Sequence, residues 1–195
     1  MPRLQCPCCQ RPEGHCLCSL IPSLPSNTRV LILQHPSEAG HALNTARLAH
    51  LGLNNSELVI TELVDPALWA AHEGEACVLF PGEGSQPLQP SSGKAIQLIV
   101  LDGTWRKARK LLHLNPALAA LPRVSLAQVQ PTRYRLRKAP GPEALSTVEA
   151  IVQALEVMEA PTSFQPLLAP FEALIDGQIQ AMGDTVYQRN HGQGV

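Results

Sequence analysis

The sequence predicts an α/β fold: a mostly parallel sheet flanked by helices, with a cysteine-rich knuckle at the N-terminus. Three observations carry this. Apolar runs at 29–34, 57–60, 76–80 and 96–101 are continuous rather than alternating, the pattern of parallel strands covered on both faces. Stretches with helical spacing lie between them, and strands alternating with helices define the α/β class. Five of the six cysteines fall within the thirteen residues 6–18, a crowding that a packed core does not need.

At 195 residues the chain fits one domain with a small appendage. The expected division is a knuckle at 1–22 and a catalytic α/β domain at 23–195. No apolar run approaches the roughly 18 residues that cross a bilayer, and no stretch resembles a signal peptide. A cytoplasmic protein without a membrane partner is expected. In that reducing compartment clustered cysteines favour metal over disulfides.

Taken in order, the knuckle gives way to a short linker marked by Pro22, Pro25 and Asn27. The first strand follows at 29–34 and a helix at about 43–51. The next two strands are expected at 57–60 and 76–80, and then the Pro/Gly/Ser-rich segment 80–95 interrupts. The most apolar strand, 96–101, leads into a turn and a helix at 105–113. A short strand at 123–126 precedes 128–146, a long loop without periodicity, and such loops inside compact domains are usually functional. In the helix at 147–159, Val148, Ile151, Val152, Leu155 and Met158 follow the spacing of a buried face. Ser146-Thr147-Val148-Glu149 before it matches a capping box. A last helix at about 170–182 would bury Phe171, Leu174, Ile175 and Met182.

Cys6-x2-Cys9 and Cys16-x-Cys18 can each clamp two corners of a tetrahedral thiolate site, the coordination zinc prefers. With Cys6, Cys9, Cys16 and Cys18 as ligands no open position remains, so the zinc would be structural. Cys8 and His15 are neighbours that could replace a ligand, and a redox-active cluster is the competing reading.

Asp102-Gly103-Thr104-Trp105 directly follows the most apolar strand, where open α/β sheets bind ligands. Gly103 permits a sharp turn or a close approach. Asp102 or Thr104 could equally be the N-cap of the next helix, and Trp105 a core anchor. Net charge is −1, so the whole molecule announces no polyanion partner. The distribution does. From Asp102 to Pro140 there are nine basic residues (Arg106, Lys107, Arg109, Lys110, Arg123, Arg133, Arg135, Arg137 and Lys138) against the single acid Asp102. Arg106, Arg109 and Lys110 would share one helix side. Arg133, Arg135 and Arg137 alternate, so an extended strand would send all three to one face. With Tyr134 between them they suggest a phosphate-binding track for RNA, against the simpler reading of solvated charge.

Asp102-Gly103-Thr104-Trp105-Arg106-Lys107-Ala108-Arg109 resembles the signature of the DTW-domain family. Other pieces agree in order: the cysteine knuckle, His35-Pro36-Ser37-Glu38, Asn44-Thr45-Ala46, Phe80-Pro81-Gly82-Glu83, Leu121-Pro122-Arg123-Val124, Tyr134-Arg135-Leu136-Arg137 and Leu145-Ser146-Thr147-Val148-Glu149-Ala150. Characterised members are tRNA-uridine aminocarboxypropyltransferases. The resemblance implies transfer of the 3-amino-3-carboxypropyl group of S-adenosylmethionine to the ring imide nitrogen of a uridine in tRNA, with release of 5′-methylthioadenosine. It also implies kinship with SPOUT methyltransferases, hence a SPOUT-like fold, a knotted C-terminal half and a homodimer.

By that resemblance three loops after strands would hold the donor: Leu79-Phe80-Pro81-Gly82, Leu101 with Gly103, and Leu145-Ser146-Thr147. Asp102, Thr104 and Trp105 would be catalytic. Asp102 would accept or orient the imide proton, or else anchor the donor's amino group, and Trp105 would stack on a flipped base. The amides capped at Ser146 suit the donor's carboxylate, and Glu149 is mainly structural. His35 and Glu38 would sit at the site's rim. A SPOUT-type RNA methyltransferase and a non-catalytic zinc-knuckle RNA-binding module are the alternative functions.

Overall fold

The computed structural model describes residues 4–91, 93–136 and 144–191. Among these residues six strands form one sheet: β1 (Arg29–Gln34), β2 (Ser56–Ile60), β3 (Glu75–Leu79), β4 (Gln86–Pro87), β5 (Ile96–Asp102) and β6 (Arg123–Ser125). Their order is β2-β1-β5-β3-β6-β4, and every pairing is parallel. Among the described residues seven α-helices accompany them: α1 (Ala46–Gly52), α2 (Ala67–Ala70), α3 (Trp105–Leu114), α4 (Pro116–Ala119), α5 (Thr147–Met158), α6 (Ala169–Met182) and α7 (Asp184–His191). No helix among the described residues is long and apolar enough to cross a membrane.

The continuous apolar runs have a simple cause. On β1, Val30 and Ile32 point to one face, where they pack with Leu98 and Val100 of β5, Ala49 of α1 and Ile151 of α5. Leu31 and Leu33 point to the other, meeting Ile99 of β5, Trp69 of α2 and Leu112 of α3. Both faces of the central strands are covered, so neither can be polar. Gly52 lets α1 lie against the turn before α6. A Cβ there would come within 2.5 Å of the Leu167 side chain.

The long expected elements are present within two or three residues of their expected ends. The short ones, β4, α2, α4 and α7, were not expected. Pro116 at the first turn of α4 is tolerated because that position needs no amide hydrogen. The segment 131–134 has no regular structure and 135–136 is a turn, as the loop expected there requires. The knuckle rests on the body. Leu17 packs with Leu48 of α1 and Leu174 of α6, and the Arg11 guanidinium donates to the carbonyls of Ala42 and Asn44.

Candidate functional site

The chain leaves β1 and β3 in opposite directions, with β5 inserted between them. Ligands of open α/β sheets bind beyond the carboxyl ends of strands at such a switch, and a cavity of about 590 Å³ opens there. Leu79, Phe80, Pro81 and Gly82 line it from the end of β3, and Leu101 and Gly103 from the end of β5. Leu145, Ser146 and Thr147 complete the wall at the start of α5. The structure thus collects all nine residues expected to hold a donor. Ser85, Ser125, Leu126 and Val129 also line the cavity, and no motif or spacing pointed to them. Ser85 Oγ donates to Gly82 O at 2.8 Å and contacts Ser125 Oγ at 3.3 Å, bringing two hydroxyls to one wall.

The four residues 102–105 divide the work. Gly103 lets the turn press on α3, since a Cβ there would lie 3.1 Å from the Lys107 Cβ. Thr104 is the N-cap of α3, its hydroxyl accepting from the Lys107 amide. Trp105 is 39 % exposed and lines the cavity edge-on to Phe80, with ring centroids 5.6 Å apart. It is a rim aromatic rather than a core anchor.

Asp102 is buried, at 8 % exposure. It lies behind the cavity wall rather than in it. Gln34 stands directly opposite it in the β1–β5 register and donates from Nε2 to Oδ2 at 2.6 Å. The Thr147 hydroxyl donates to Oδ1. Burial pushes the Asp102 carboxyl above its ordinary pKa, opposed by the bonds from Thr147 and Gln34. A fixed carboxylate with a raised pKa is suited to taking up a proton.

The start of α5 is anchored by a capping box between Ser146 and Glu149. Glu149 is 3 % exposed and also accepts from the Arg133 amide at 2.6 Å and from the Thr132 hydroxyl. His35 donates from Nε2 to Glu62 at 2.6 Å, and Lys107 binds Glu38 at 2.5 Å. His35 and Glu38 lie in the loop after β1, beside the Asp102 turn, and the His35 amide donates to Asp102 O at 3.0 Å.

The basic residues are less free than composition suggested. Arg133 pairs with Glu172 at 2.5 Å, Arg135 with Asp176, and Lys110 with Glu62 at 2.7 Å. Lys110 beside it holds the Glu62 carboxyl below its ordinary range. Arg133 and Arg135 do face one way, toward the acids of α6. Tyr134 meets Phe171 edge-on with centroids 5.5 Å apart. Arg106 and Arg109 are exposed and form no ion pair among the described residues. Arg137 lies outside the described residues.

In the knuckle, the sulfurs of Cys6, Cys9, Cys16 and Cys18 all lie within 4.8 Å of one another, and no other His, Cys, Asp or Glu cluster among the described residues could hold a metal ion. Cys6–Cys18 is 3.6 Å and Cys9–Cys16 is 3.8 Å. A tetrahedron with Zn–S bonds of about 2.3 Å has edges of about 3.8 Å, so the donor set fits. The amides of Cys9 and Cys8 hold the Cys6 thiol down to about 6. Burial works against ionising Cys9, yet the amides of Leu17 and Arg11 leave its thiol below the ordinary value. Cys8 is exposed and, like His15, stands outside the cluster.

The family model of the DTW domain matches residues 3–179. The chain belongs to the DTW-domain family. A Drosophila melanogaster relative named tRNA-uridine aminocarboxypropyltransferase 2 is 31% identical over 91% of this chain and 76% of its own length. The Macaca fascicularis protein of the same name is 29% identical over 91% of this chain. This chain covers 64% of that macaque protein, just under two thirds. An Arabidopsis thaliana relative, tRNA-uridine aminocarboxypropyltransferase A, is 28% identical over 79% of the chain and 72% of its own length. No solved structure matches the chain. Every DTW position of this family member sits at the carboxyl end of β5, around one carboxylate and one cavity.

Proposed function

We propose that this DTW-domain protein transfers the 3-amino-3-carboxypropyl group of S-adenosylmethionine to the ring imide nitrogen of a uridine in tRNA. The observation that carries the reading is the convergence of three post-strand loops on one cavity, with Asp102 fixed behind it by Gln34 and Thr147. The names of the relatives support it.

The cavity fits the donor on its own chemistry. Its volume of about 590 Å³ is in the range of small-molecule sites. Phe80, Leu101, Leu126 and Val129 offer apolar walls to adenine, while Ser85 and Ser125 offer hydroxyls. The amides at the start of α5 suit a carboxylate. The donor supplies a methylene carbon beside a sulfonium: a bond from the imide nitrogen forms there, the C–S bond breaks, its electrons stay on sulfur, and 5′-methylthioadenosine leaves. Asp102 takes the imide proton, and its fixed position spares it reorientation. Thr147 orients the carboxyl. Trp105 at the rim offers a face on which the target base stacks. Arg106 and Arg109 hold nearby phosphates.

The same reading makes the cysteine cluster a structural zinc site, with 1–22 as a knuckle and 23–195 as the catalytic domain. It carries a SPOUT-like classification with a knotted C-terminal half, supported by the all-parallel sheet and the three loops. A homodimer and a cytoplasmic location belong to it as well.

The test is to incubate the protein with unmodified tRNA transcript and S-adenosylmethionine and weigh the digested nucleosides. A uridine heavier by one aminocarboxypropyl group, with 5′-methylthioadenosine released, is expected. A uridine heavier by one methyl group would leave the cavity as the donor site and overturn the reaction.

A further inference from the structure

The cavity at the carboxyl end of β5 has a polar wall without a base. Its polar side chains are Ser85, Ser125, Ser146, Thr147 and the Trp105 indole, and no Asp, Glu, His or Lys lines it among the described residues. Asp102, 8 % exposed, stands behind the wall. A uridine imide seated there meets hydroxyls, which are too weakly basic to take its proton. The base has to act through one of them.

Two of these hydroxyls have a carboxylate behind them. Ser146 Oγ donates to Glu149 Oε2 at 2.7 Å, and Thr147 Oγ1 donates to Asp102 Oδ1. Ser85 and Ser125 instead contact Gly82 O and each other. The two carboxylates are not equivalent. Glu149 also accepts from the Ser146 and Arg133 amides and from the Thr132 hydroxyl. Those four donors fill the roughly four lone-pair sites of a carboxylate. Among the described side chains only Gln34 and Thr147 donate to Asp102, so it keeps room for a proton. Ser146 is 4 % exposed, and Thr147 is the more open of the two. Thr147 is also well fixed, as the first residue of α5 with a branched β-carbon that restricts χ1.

We propose that the Thr147 hydroxyl relays the imide proton of the target uridine to Asp102, so that the carboxylate acts as base without touching the substrate. The inference rests on the reading of the cavity as an aminocarboxypropyl-transfer site. As the imide nitrogen bonds to the methylene carbon, its N–H bond breaks and the proton goes to Thr147 Oγ1. The proton already on Thr147 passes to Asp102 Oδ1. The C–S bond breaks with its electrons on sulfur, so the sulfonium and carboxylate charges disappear together. Once the products leave, Asp102 returns its proton through the same hydroxyl to water. Burial, which raises the Asp102 carboxyl, makes it a better final acceptor.

The test compares single-turnover transfer by Thr147→Val, Thr147→Ser, Asp102→Asn and the double variant Thr147→Val with Asp102→Asn, each at the plateau of its pH profile. Donor binding is followed by calorimetry and folding by thermal melting. Two tRNA transcripts are used, one with uridine and one with 5-fluorouridine, whose more acidic imide needs a base less. Thr147→Val is expected to lose at least about 10²-fold, as Asp102→Asn does. The double variant loses no more than either, because groups that act as a unit are not additive. Serine restores the rate, donor affinity stays at the wild-type value, and every loss shrinks on the 5-fluorouridine transcript. A valine variant within a few-fold of the wild type would overturn the relay and leave Asp102 to take the proton directly. A loss equal on both transcripts would overturn it too, as a defect of structure. The wild type alone gives a second measurement. Two protons in flight bend the plot of rate against deuterium fraction in mixed light and heavy water, and a straight line would overturn the relay. A wild type that yields methylated uridine would overturn the reaction and the relay together, which separates the two failures.

Discussion

Thr147, the first residue of α5, donates its hydroxyl proton to the carboxylate of Asp102, the last residue of β5. The bond ties the helix that forms one cavity wall to the strand that forms another. It also lowers the Asp102 pKa against the effect of burial. Thr147→Val is expected to move the acid limb of the pH–rate profile upward and to cost about 1–3 kcal/mol of stability. Thr147→Ser restores both. An unmoved limb in the valine variant would separate Thr147 from the chemistry.

Asp102→Asn is expected to lower transfer by at least about 10²-fold while the protein melts at or above the wild type at pH 7. The sign follows from burial, which raises the folded pKa above the unfolded one. The folded state then binds the proton more tightly, and stability falls as pH rises from the ordinary carboxylate value through the raised one. Asparagine carries no charge, and the Gln34 amide can turn to present its oxygen. Product mass together with a melting curve reads both effects. Full activity in a folded variant would remove Asp102 from the reaction.

Glu149→Ala is expected to destabilise by about 3 kcal/mol. It removes the capping box, worth about 1 kcal/mol, and leaves the Arg133 amide and Thr132 hydroxyl without their acceptor, at about 1–3 kcal/mol for such groups. In a chain of this size that lowers the melting temperature by about 6–12 °C. A calorimetric scan decides it.

Elemental analysis is expected to find one zinc ion per chain. Chelation or Cys9→Ser should raise amide hydrogen exchange over residues 5–18 and leave β1 and β5 protected. The sheet's two faces are covered mainly by helices rather than by the knuckle. Loss of protection throughout would make the metal a condition of the whole fold.

Arg106→Ala with Arg109→Ala is expected to reduce the salt slope of tRNA binding by about two with melting unchanged, because both side chains are exposed. Arg133→Ala changes tRNA affinity less, since Glu172 already holds it. Equal losses in both would mean that the α6 pairs open on binding.

What was legible in the sequence was local. The runs through Val30–Leu33 and Leu98–Val100 announced strands because both sheet faces are covered. Ser146 and Glu149 announced their cap through three-residue spacing. What was hidden depended on pairing across long separations. Gln34 looked like the polar end of a strand, and only the parallel register with β5 sets it opposite Asp102. Arg133 and Arg135 counted as free charge because their acids lie on α6, 39 and 41 residues further along. Arg11, one basic residue in a cysteine-rich segment, gave no hint of burial.

Glu149 grips Ser146 on one side and Thr132 with Arg133 on the other, so the two ends of the segment between them are stapled at a single carboxylate. Whatever length of chain is spliced between those ends, the cavity wall at 144–147 keeps its place. Doubling such a segment costs only about 0.6 kcal/mol of closure entropy. The staple therefore separates the geometry of the α5 end from the length of chain that leads to it.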